Sequence, residues 1–334
     1  MLALVAAIAS GAVVLPSIGA ATTTPAPPGA GTAPMMRLPW PTKPFYGTHR
    51  IQGTLDEPRV LTGFTPAATP LLEQGLAGLN QAIPIFPRVA HIGVDISAPD
   101  GTPVYAVRSG IAVTHLAGSG TYVDVGAFAY WHLEDPVPTG TRVVALHTII
   151  GRAYPGLHHI NFSRYYKGVA VNQLRFGGFY STSDTTRPVL GALRAFTAAG
   201  RTLAANAIPE APVALFVRAS DLWSQGGAEI GLYKLSWSLS TTSGKTIWPT
   251  TTTLQADVLV SDQVMGWIVS PDSERLDRLE TDFSYRLFHP EATPRSPLMN
   301  FTTLAAGPYV IHATAQDAAG HTTNRAYPIT VTAS

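Results

Sequence analysis

The chain has 334 residues, 46% of them hydrophobic, which is enough for two domains with a core each. Its 22 basic and 21 acidic residues leave a net charge of +1 with no basic cluster, so the charge pattern excludes a nucleic-acid footprint. Cysteine is absent, which excludes disulfides, thiolate metal sites and a lipidated cysteine anchor.

Residues 2–15, LALVAAIASGAVVL, form an uncharged apolar run followed by Pro16 and the small-residue stretch SIGAA. Cleavage near Ala20 or Ala21 follows, so 1–21 reads as a signal peptide and the protein as secreted or extracytoplasmic, in a periplasm or at a cell surface. No Lys or Arg precedes Arg37, which leaves a short uncleaved anchor as the alternative. Residues 22–35 are a Thr/Pro/Gly-rich linker.

Only 13% of residues are charged, while 30 glycines, 28 prolines and many Thr and Ser favour strands and turns, so the fold class is mainly β. From residue 36, short alternating segments such as TPVYAVRSGIAV and TYVDVGAFAYWHL predict antiparallel strands. They define a first domain over 36–205, with its core at 89–165 and an insertion at 60–88 that shows a partial helical period after Pro70. In 185–200, apolar residues at 189, 190, 193 and 196 between Pro188 and Gly200 suit a helix, with a strand as the alternative. Strand patterning then resumes over 206–334 and predicts a β-sandwich.

The chemistry-bearing residues fall in three stretches. In HIGVDIS, His91 and Asp95 share one face if the strand is continuous, with Gly93 leaving room between them. An imidazole beside a carboxylate is half of a zinc site. His132 follows two aromatics in YWHL, and His159 and Asn161 share a strand face in HHINF. His158 falls on the opposite face and reaches the others only through a bulge or register shift. His49, His115, His147, His289, His312 and His321 read as structural histidines.

Residues 91–162 resemble the lysostaphin/LytM-type zinc endopeptidases, which cut peptidoglycan peptides and carry H-x(3)-D, an aromatic-x-H-L and H-x-H. The turn and strand in APDGTPVYAVRSG are similar to that family, and the likeness extends weakly upstream through IQGTLDEPR. The resemblance implies zinc ligands at His91 and Asp95, catalytic histidines at His132 and His159, and Asn161 in the place of the third ligand, a histidine in the family. It also implies peptidoglycan stem or cross-bridge peptides as partners and zinc as cofactor. A neutral amide oxygen is a poorer zinc donor than imidazole, so zinc is expected to be weakly held or absent.

Two readings follow: a zinc-dependent endopeptidase with impaired catalysis, or a non-catalytic module that binds the cell wall or activates a hydrolase. The segment GPYVIHATAQDAAGHTTNRAYPITV (307–331) resembles the last hairpin of immunoglobulin- or fibronectin-like modules, which implies a spacer or a contact with a wall polymer or protein partner.

Overall fold

The computed structural model describes residues 34–60, 88–117, 120–175, 177–182, 184–223, 227–260, 265, 268–269, 275–277, 280–281, 283–289 and 298–333. The expected signal peptide, all but the end of the linker and nearly all of the 60–88 insertion lie outside the described residues. The rest is mainly β and built from antiparallel sheets, with one parallel pair of strands.

The first group of strands is β1 (Ile51–Gly53), β2 (Pro58–Val60), β3 (Arg88–Ala90), β4 (Val94–Ser97), β5 (Pro103–Tyr105) and β6 (Gly110–Ala117). It continues with β7 (Gly120–Val125), β8 (Phe128–Glu134), β9 (Arg142–Val143), β10 (Ile149–Ala153), β11 (His159–Tyr166) and β12 (Val169–Val171). Ten of these form one sheet, ordered β1-β4-β11-β8-β7-β6-β9, with β5, β10 and β12 at its flanks. Local chemistry sets the hairpins. Gly126 (φ 63) starts the two-residue turn between β7 and β8, as a II′ turn requires, and Lys167 and Gly168 (φ 51 and 80) give the I′ pattern between β11 and β12.

Alternation along β11 divides its side chains between two environments. Ile160 and Phe162 enter a core with Val94, Ile96, Tyr130 and Leu133, while His159, Asn161 and Ser163 take the other face. Burying a large apolar side chain of this kind contributes about 1.5–3 kcal/mol, so the register that exposes the polar face to the site is strongly fixed.

The second group comprises β13 (Val189–Thr197), β14 (Thr202–Leu203), β15 (Ala207–Pro209), β16 (Pro212–Leu222), β17 (Glu229–Ile230), β18 (Lys234–Thr241) and β19 (Thr246–Gln255). It ends with β20 (Arg275–Asp277), β21 (Glu280–Thr281), β22 (Ser284–Leu287), β23 (Met299–Asn300), β24 (Gly307–Gln316) and β25 (Thr322–Thr332). One sheet, β14-β13-β16-β17 with β22 and β23, faces another, β15-β25-β24-β18-β19, across a core of Leu215, Val217, Leu235, Trp237, Ile311 and Ile329.

One expectation changes here. Residues 189–197 are a strand and not a helix, because β13 pairs with β16 from Val189↔Ser220 to Thr197↔Val213. Sheet pairing outweighed a weak helical period in a segment whose Leu190, Leu193 and Ala195 all reach the core. The expected division at 205/206 runs through a sheet, since β13 and β14 lie before it and β16 after it.

Candidate functional site

Three structural devices bring the site residues together. Register is the first: on the central strands Asn161 of β11 lies opposite both Asp95 of β4 and Trp131 of β8, so the three share a face. A break before β4 is the second. His91 does not continue the strand of Asp95, as a simple period-2 reading expects; Gly93 (φ 104) bends the chain between them. His91 is instead held by backbone bonds with Glu57 and Asp56 (2.9 and 3.1 Å). A Cβ on Gly93 would lie 2.5 Å from Phe162 O and Ser163 Oγ and 2.7 Å from Asn161 Oδ1, so only glycine leaves this space open.

The third device is a bulge in β8. Thr121 pairs with Leu133 and Val123 with Tyr130, so Trp131 and His132 together oppose Tyr122, and His132 takes φ 63. The bulge turns His132 toward His159, their rings meeting edge to face at 5.0 Å.

The polar contacts orient the rings. His91 Nδ1 lies 2.9 Å from the Thr54 carbonyl, which can only accept, so Nδ1 carries a proton and Nε2 is the nitrogen turned toward Asp95 and Asn161. His159 is held the same way by the Leu157 carbonyl at 2.7 Å. His91 Nε2 and Asp95 Oδ1 then converge at 3.1 Å, and His159 Nε2 lies 3.7 Å from the same oxygen. Asn161 Nδ2 fills the gap between these acceptors, at 2.6 Å from His91 Nε2 and 3.2 Å from Asp95 Oδ1. Its Oδ1 accepts from Ser163 Oγ at 3.2 Å.

On the far side of the carboxylate, Arg59 Nη2 donates to Asp95 Oδ2 at 2.8 Å and pairs with Glu57 Oε1 at 3.0 Å. Burial works to raise the Asp95 carboxyl, but His91, Arg59 and His159 outweigh it and hold Asp95 well below the ordinary carboxylate range. Burial is also the main influence on His159 and lowers it, against the pull of Asp95. Gly53 makes room for the ion pair: a Cβ there would meet Arg59 Nη2 at 2.3 Å and Asp95 Oδ2 at 2.6 Å.

The chain was compared with protein-family models and with curated proteins. Neither comparison gave a match.

Sequence reasoning missed Arg59, Glu57 and Ser163. A faint signal existed in DEPR (56–59), a dense charge run in a charge-poor chain. His158 (φ 54) turns away and pairs with Asp100 at 2.9 Å, so it offers no substitute ligand. Among the described residues, Asp184, Asp317 and His321 form a group that could hold a metal ion, with ligand atoms all within 4.8 Å of one another.

Catalytic zinc takes three protein ligands with lone pairs. His91 Nε2 and Asp95 Oδ1 meet that requirement, whereas Asn161 presents an N–H donor, and Arg59 already neutralises the carboxylate. As arranged, these residues do not fit zinc.

Proposed function

We propose that this protein is an exported, LytM-type peptidase-like module joined to an immunoglobulin-like β-sandwich, and that it binds peptidoglycan peptides without cutting them. The observation that carries the reading is the Asn161 amide, whose N–H groups engage both His91 and Asp95 and so stand where a metal ion would be shared. The paired rings of His132 and His159 supply imidazole donors and acceptors suited to peptide amides. The apolar run at 2–15 supports export, and the two sheets packed on one core support the sandwich, which serves as a spacer or a contact with wall polymer.

A second reading, a zinc-dependent endopeptidase, is favoured by Ser163. Its single O–H proton lies within reach of both Ile92 O (3.1 Å) and Asn161 Oδ1 (3.2 Å); given to Ile92 O, it leaves the oxygen to accept Asn161 Nδ2–H once the amide turns over, which would aim Oδ1 at His91 and Asp95. Co-sedimentation with purified peptidoglycan, scored together with release of new amino groups and zinc content, separates the two. The binding reading expects retention on the wall, no release and no stoichiometric zinc. Release of peptides by zinc-bearing wild-type protein establishes the enzyme reading, and failure to sediment sinks the binding one.

A further inference from the structure

A second polar cluster lies away from the His91 site, where the segment after β12 meets the end of β16 and the β24–β25 turn. Asp184 (9% exposed), Asp221 (2%) and Asp317 (1%) are all buried. Asp317 Oδ1 accepts the N–H groups of Gly320 and His321 at 2.6 and 2.8 Å, and its Oδ2 pairs with His321 Nδ1 at 2.8 Å. Asp184 Oδ1 accepts the N–H and hydroxyl of Thr186, both at 2.9 Å. Asp184 Oδ2 is enclosed and accepts no hydrogen bond among the described residues. Among the described residues, His321 is the one basic side chain in an ion pair with any of these carboxylates.

An enclosed carboxylate oxygen without a donor is costly, and three acids around one imidazole repel each other when ionised. A cation relieves both costs. Ligand atoms of Asp184, Asp317 and His321 already lie within 4.8 Å of one another.

We propose that Asp184, Asp317 and His321 bind a divalent transition-metal ion of the Zn²⁺ or Mn²⁺ class. Carboxylates with an imidazole match those ions, whereas Ca²⁺ takes oxygen ligands. His321, with 35% of its side chain exposed, leaves a side open to water. The ion is structural: it ties the segment preceding β13 to the turn between β24 and β25, beside the bond from Arg187 Nη1 to Thr322 O at 2.9 Å. Binding to the folded chain raises its stability by mass action.

The test uses the full chain, stripped with chelator and titrated with ZnCl2 or MnCl2 by calorimetry and by thermal unfolding. One equivalent should bind and raise Tm, with binding kept in H91A and weakened at least about 10-fold in D184N and H321Q. D184N retains an oxygen for Thr186, and His321 is partly exposed, so circular dichroism should report native folding for both variants. Absence of binding, binding indifferent to D184N and H321Q, loss in H91A, or binding of Ca²⁺ in place of Zn²⁺ and Mn²⁺ would each overturn the proposal.

Discussion

Asn161 Nδ2 stands 2.6 Å from His91 Nε2 and 3.2 Å from Asp95 Oδ1, donating to two acceptors that would otherwise face each other 3.1 Å apart. Two lone pairs at that distance need something positive between them: a proton, a metal ion or an amide N–H. The asparagine supplies the third. Replacing it with alanine should therefore cost stability, about 1–3 kcal/mol from buried acceptors left without a donor, read from urea unfolding. An unchanged midpoint for N161A would show that the bridging bonds contribute nothing.

Placing an imidazole at that position should have the opposite effect on metal. N161H places a third lone pair beside His91 and Asp95 and removes the competing N–H, so zinc affinity should rise at least about 10- to 100-fold. Competition with a chromophoric chelator measures it. Adding H158A to N161H should change nothing, because His158 is paired with Asp100.

The ion pair between Arg59 and Asp95 anchors the carboxylate that the whole cluster surrounds. R59Q should destabilise by about 3–5 kcal/mol, because it leaves the buried carboxylates of Asp95 and Glu57 without their cation. Asp95 is held below its ordinary range, so its contribution is present above the unfolded carboxylate pKa and is lost as pH falls through the lower folded value. Acid unfolding of wild type should thus be steeper below about pH 4 than that of D95N.

Asp56 works in the other direction. Burial pushes it up to about 8, its Oδ1 accepts from Val260 N at 2.8 Å, and its Oδ2 is enclosed without a hydrogen-bond partner among the described residues. A raised carboxyl favours the folded state fully below its unfolded pKa, and that stability drains away as pH climbs toward about 8. D56N keeps the acceptor for Val260 and suits the left-handed φ of 62. The variant should gain on wild type by up to ~1.4 kcal/mol per pH unit between pH 5 and 8, by denaturant titration at each pH. Parallel pH profiles for the two proteins would refute this.

Gly93 allows the bend that separates His91 from Asp95. G93A must place a Cβ at φ 104 and 2.5 Å from Phe162 O, so a loss of at least about 1–3 kcal/mol is expected. Two-state unfolding curves would measure it.

The sequence by itself determined the β class, the strands that carry Asp95, His132, His159 and Asn161, and the choice of residues to watch, because alternation and turn glycines are local signals. The resemblance drawn from it marked Asn161 as the residue that departs from that family's three metal ligands. Tertiary structure alone set what that amide meets, since its nitrogen and oxygen lie among His91 and Asp95 from the stretch around β4 and Ser163 on its own strand β11. It alone brought Arg59 onto Asp95, placed 189–197 as a strand, and brought Asp184 to Asp317 and His321, over a hundred residues further along the chain. Contacts between distant segments leave no period in the chain; they appear only when sheet register and long-range pairing set which faces meet.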